Sequence, residues 1–105
     1  MALNYYKNEL KENAQLLASK GKGILAVDES TKTVGKRLAG IGVENTEENR
    51  KAYRGMLFTT KDLGKYISGA ILFEETLYQN HQDGESMVKK LNDLGIIPGI
   101  KVDKG

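Results

Sequence analysis

The groups that could do chemistry in this chain are concentrated in ten residues, GKGILAVDES at 21–30. A short apolar run from Ile24 to Val27 gives way abruptly to Asp28, Glu29 and Ser30. Bounded by turn-permissive glycines, such a run reads as a strand buried on both faces, as in a parallel sheet. Polar groups at the carboxyl end of such a strand stand where parallel α/β folds place their chemistry. Asp28 can equally cap the following helix, where Asp, Ser and Thr are favoured. The residues alone leave both readings open. Two further apolar runs end in the same way. Residues 67–73 lead into Glu74 and Glu75, and residues 96–102 carry Lys101 and end at Asp103.

Other conspicuous residues point to no chemistry. Glu74 and Glu75 are adjacent, so on an extended strand end they face opposite sides and form no acid–base pair. The single histidine, His81, lies in the polar stretch QNHQDG and reads as an exposed loop residue. Neither His81 nor Asp83 has the spaced partners of a metal site, and no metal is expected. Gly21-Lys22-Gly23 precedes its strand, so it is no dinucleotide fingerprint, and Gly35-Lys36 lacks the rest of a phosphate-binding P-loop.

The elements that must position these groups follow from periodicity. Tyr6, Leu10, Ala14 and Leu17 fall at helical spacing, which predicts an amphipathic helix over 4–19. A strand follows at 23–28, then a short helix at 33–38 ended by Gly40 and Gly42. Asn45 and Glu48 stand at capping-box spacing and start a helix whose apolar face is Tyr53, Met56 and Leu57. The second strand is 67–73. Met87, Leu91 and Leu94 mark another helix, and the third strand is 96–102, with Pro98 confined to its first residues. Strand, helices, strand, helix, strand is the pattern of βαβ units around a parallel sheet.

Composition narrows the class. With 39% hydrophobic and 29% charged residues the chain is a folded, soluble type and not a disordered one. Its 16 basic and 14 acidic residues are mixed, and a net charge of +2 argues for neither nucleic acid nor a membrane surface. The absence of cysteine removes disulfides and thiolate metal sites. MALNYYKNELKE has no apolar core of a signal peptide, and no run approaches a membrane span, so a cytoplasmic location is expected.

Set side by side, the strand ends resemble the class I fructose-bisphosphate aldolases. GKGILAVDES, KRL (36–38), ENTEENR (44–50), ILFEETLYQ (71–79) and GIKVDKG (99–105) match that family's N-terminal third in order and spacing. Val27 stands where the family usually has alanine, Lys32 where it often has glycine, and Thr33 where many members have serine. The resemblance implies an α/β fold, the N-terminal part of a (β/α)8 TIM barrel with about three parallel strands in residues 1–105. It further implies metal-independent cleavage of fructose 1,6-bisphosphate to dihydroxyacetone phosphate and glyceraldehyde 3-phosphate through a lysine Schiff base. No cofactor is implied.

By the same resemblance Asp28 is the catalytic carboxylate beside the Schiff-base lysine, assisting proton transfer. Ser30 and Thr33 look like hydroxyl donors to the 6-phosphate at a helix N-terminus, where anions are favoured. Lys36 and Arg37 could add a point charge and a fork to that phosphate, with solvated helix-face charge as the competing reading. Arg50 resembles a substrate-binding position, against pairing with Glu47 or another acid. Lys101 resembles a lysine at the mouth of the site. The partners implied are a phosphorylated sugar and other copies in a homotetramer.

A complete barrel needs about 250 residues and eight strands. The family's Schiff-base lysine has no counterpart among these residues. A piece of an aldolase, inactive and poorly folded by itself, is therefore expected. The alternative is a non-catalytic product that binds phosphosugars or a partner.

Overall fold

The computed structural model describes residues 2–104. Helices α1 (Ala2–Tyr5) and α2 (Lys7–Leu17) lead to strand β1 (Gly23–Val27). Then come α3 (Thr31–Ala39), α4 (Glu47–Phe58), α5 (Leu63–Tyr66) and β2 (Ile67–Leu72). The chain continues through α6 (Glu74–Leu77) and α7 (Met87–Asp93) to β3 (Ile97–Ile100). These strands are parallel, in the order β1-β2-β3.

The core lies between this sheet and helices α4 and α7. Val27, Ala70 and Leu72 from the strands meet Phe58 of α4 and Met87 and Leu91 of α7, with Ile96 just before β3. Side-chain hydroxyls start the helices where the backbone needs acceptors. Ser30, Thr46 and Ser86 cap α3, α4 and α7, each accepting from the amide three residues on. The α4 cap is thus Thr46 and not Asn45. Asn45 instead donates to the Thr31 carbonyl at 3.2 Å and accepts from Arg50 at 2.8 Å, tying α3 to α4. Gly35 is required opposite it, because a Cβ there would collide with the Asn45 amide.

Several expectations are corrected. The 4–19 helix is split at Tyr6, and Tyr5 and Tyr6 are exposed and stack edge to face on one another. Of the three strands, the central β2 alone is buried along most of its length. In β1, the residues expected to be buried on both faces include Ile24 at 53% exposure, because alternate side chains point to opposite faces and the core covers the face of Leu25 and Val27. The buried face of α4 is Arg54, Gly55 and Phe58, whereas Met56 points outward. His81 is partly covered, since its ring packs where a Cβ on Gly55 would come within 2.8 Å of its Cδ2.

Candidate functional site

Sheet register brings three strand ends to one level. Val27 pairs with Leu72 and Leu72 with Ile100, so Asp28, Phe73 and Lys101 leave the sheet along one rim. The Lys101 amide continues the ladder, donating to the Leu72 carbonyl at 2.9 Å. Two strand spacings separate Asp28 from Lys101, about 10 Å of backbone, and the long lysine side chain spans the gap. Its Nζ stands 3.6 Å from Asp28 Oδ2 and 3.0 Å from Asp103 Oδ1.

Together these residues line an open cleft of about 550 Å³. The β1–α3 turn contributes Asp28, Glu29, Ser30 and Thr33. Phe73 and Glu74 come from the end of β2, and residues 101–104 from the end of β3. Ser30 Oγ caps α3 and lies 3.1 Å from Thr33 Oγ1, so two hydroxyls and the helix N-terminus share one wall. The Lys101 pKa is raised, chiefly by its hydrogen bond to Asp103, with the Asp103 and Asp28 charges reinforcing it against burial. Lys101 is therefore held as an ammonium, suited to attract an anion and unsuited to attack a carbonyl.

The other expected residues lie elsewhere. Lys36 is exposed and outside the cleft lining. Arg37 turns to the flank, pairing with Glu29 and donating to the Tyr53 hydroxyl at 3.5 Å. Arg50, expected to touch substrate, is instead gripped by Glu75, with Nε to Oε1 at 2.9 Å and a second nitrogen to Oε2 at 2.8 Å. The fork geometry of a bidentate pair accounts for its position, and the acid is Glu75 rather than Glu47. Glu74 and Glu75 sit in the first turn of α6 and not on extended backbone. They do part company, Glu74 to the cleft and Glu75 to the arginines.

Arg54 was not legible as functional. It is fully buried, donates to the Glu29 carbonyl at 2.6 Å, and lies 5.5 Å over the Phe73 ring. A detectable signal exists, because Arg50, Arg54 and Phe58 recur at i, i+4 spacing on one helical face. A second hollow of about 310 Å³ lies between α4 and His81, away from the strand ends.

Hydroxyls, a carboxylate and an ammonium gather at the carboxyl ends of parallel strands joined by helices, where parallel α/β folds, TIM barrels among them, place their chemistry. The chain belongs to the class-I fructose-bisphosphate aldolase family, whose model matches residues 9–105. It is similar to fructose-bisphosphate aldolase 1 of Toxoplasma gondii, 67% identical over 97 residues, which are 92% of this chain and 27% of the relative. It is also similar to the chloroplastic fructose-bisphosphate aldolase 3 of Arabidopsis thaliana, 62% identical over 100 residues, 95% of this chain and 26% of the relative. Among solved structures it resembles the Plasmodium falciparum fructose-bisphosphate aldolase in complex with TRAP and a small-molecule inhibitor. That match has a TM-score of 0.89 at 61% identity and covers 93% of this chain and 28% of the other. The chain thus spans about a quarter of the length of the curated relatives it matches. The expectation of a cytoplasmic location is overturned, since relatives from Arabidopsis, spinach and rice at 62% identity are named chloroplastic.

Proposed function

We propose that this chain is the N-terminal portion of a single TIM-barrel domain in a class I aldolase. That enzyme cleaves fructose 1,6-bisphosphate to dihydroxyacetone phosphate and glyceraldehyde 3-phosphate through a lysine Schiff base and without a metal. The observation that carries this reading is the convergence of Asp28 and Lys101 in one cleft with the Ser30 and Thr33 hydroxyls. The Schiff-base lysine is contributed by barrel segments outside residues 1–105. Asp28 lies beside it, stabilises the cationic nitrogen and assists proton transfer at the carbinolamine and carbon–carbon cleavage steps.

Ser30, Thr33 and the α3 N-terminus hold the 6-phosphate, with Lys101 supplying positive charge at the mouth. Arg37 and Lys36 stand one turn further along α3 and reach the phosphate only by leaving their present orientations. Arg50 serves the scaffold. Homotetrameric assembly is part of the same proposal. By themselves the 105 residues give neither cleavage nor a borohydride-trapped adduct with dihydroxyacetone phosphate. In the complete enzyme, Asp28→Ala lowers turnover by about 10²–10⁴, the usual loss for a positioned proton-transfer group. Near-normal turnover and substrate affinity in that variant would sink the proposal.

A further inference from the structure

Arg54 is the largest fully buried side chain among the described residues, and it is a cation. Burial lowers its pKa, opposed by the charges of Glu75 and Glu29, while Arg50 on the same helix repels it. Its Nε has no hydrogen-bond partner among the described residues. A buried guanidinium with an unused donor is an expensive way to fill space, and an apolar side chain of similar volume would pack at less cost. What the guanidinium does is join two cleft walls. One nitrogen donates to the backbone carbonyl of Glu29, the residue between Asp28 and Ser30. A second reaches Glu75 Oε1 at 3.4 Å, and the guanidinium carbon lies 5.5 Å over the ring of Phe73, which lines the cleft. Glu75 is itself held from the other side by Arg50.

We infer that Arg54 is a positioning residue for the cleft, clamping the Asp28–Ser30 turn of one strand end to the Phe73–Glu75 turn of the next. This inference rests on the proposed aldolase reading. Asp28 is placed for proton transfer only while the carbonyl one residue on is fixed, and a displacement near 1 Å at a reacting group costs about 100-fold in rate. Lysine in place of Arg54 keeps the charge. It has no planar fork to span a carbonyl and a carboxylate while lying over a ring.

The test uses the complete enzyme with Arg54→Lys and Arg54→Ala beside wild type and Asp28→Ala. Arg54→Lys is expected to lower kcat about 10- to 100-fold while the folded fraction, followed by melting, stays high. Added guanidinium ion is expected to restore part of the kcat of Arg54→Ala and none of that of Asp28→Ala. Amide hydrogen exchange over residues 28–33 is expected to quicken in Arg54→Lys. A folded Arg54→Lys enzyme with kcat within about twofold of wild type overturns the inference. If wild type shows no aldol cleavage, the aldolase reading fails separately. The clamp is then judged by exchange, and unchanged protection over 28–33 overturns it.

Discussion

At the strand ends Lys101 stands 3.6 Å from Asp28, both side chains keeping about a quarter of their surface in solvent. Behind that rim Arg50 holds Glu75 through two bonds of 2.8 and 2.9 Å, and the neighbouring Arg54 is fully enclosed. The two regions are built from the same charged groups, and geometry divides their work. A loose pair with about a quarter of its surface in water gains little from its own attraction, and Lys101 divides its ammonium between Asp28 and Asp103 instead of locking onto one of them. A bidentate, largely enclosed pair has spent its bonding capacity internally and fixes backbone instead. Residue type thus says where charge is, and pairing distance with burial says whether that charge is free to meet a ligand.

Removing the cleft cation should separate activity from stability most sharply. Lys101→Ala in the complete enzyme is expected to lower kcat/KM about 10- to 150-fold, the equivalent of the 1.5–3 kcal/mol that a hydrogen bond to a charged group contributes. Its folding stability should change by less than about 1 kcal/mol, as for exposed pairs generally. Steady-state kinetics and a denaturant melt on the same preparation check both halves. A large stability loss with unchanged kinetics would place Lys101 in the scaffold and erase the contrast.

The opposite pattern is expected of the arginine cluster. Glu75→Gln should destabilise the fold by about 1.5–3 kcal/mol through loss of charge-assisted hydrogen bonds. The Glu75 pKa is held below its ordinary 4.5, first by the Arg50 hydrogen bonds and then by the Arg50 and Arg54 charges, against burial. Because the folded value is the lower one, its contribution is complete above the unfolded value. It is lost as pH falls through the folded one. Melting temperature should therefore drop as pH falls below the ordinary carboxylate value of 4.5, with a shallower drop in Glu75→Gln. Parallel acid limbs for wild type and variant would remove Glu75 from the stabilising set.

Much of this division was visible in the residue pattern, and the rest depended on partners far along the chain. Each strand end is locally marked, because an apolar run closing on Asp28, Glu74 or Lys101 can be read without tertiary knowledge. The residues alone offer Asp28 as the cap of the next helix, whereas Ser30 two residues on is the one that caps it. The four-residue helices α5 and α6 are too short to show a period, so they were missed. Arg50 reads as a substrate contact or the partner of some acid, and Arg54 carries no reading at all, until Glu75, 25 and 21 residues later, is folded back onto them. Which face of β1 is covered is likewise a property of the packed fold and not of its five residues.

The smallest expected effects come from two hydroxyls with one local job and different surroundings. Ser30 accepts from the Thr33 amide at 3.3 Å and Thr46 from the Asn49 amide at 3.1 Å, each capping a helix. Truncating either to alanine should cost about 1 kcal/mol of stability, since the orphaned amide is the same in both. Of the two, Ser30 alone borders the cleft. Ser30→Ala should in addition lower kcat/KM about fivefold, the worth of one hydrogen bond near 1 kcal/mol to the substrate phosphate. Thr46→Ala should leave kinetics unchanged. With stability loss matched, the kinetic difference between the two variants isolates what the cleft adds to an ordinary helix cap, and equal kinetics would return Ser30 to capping alone.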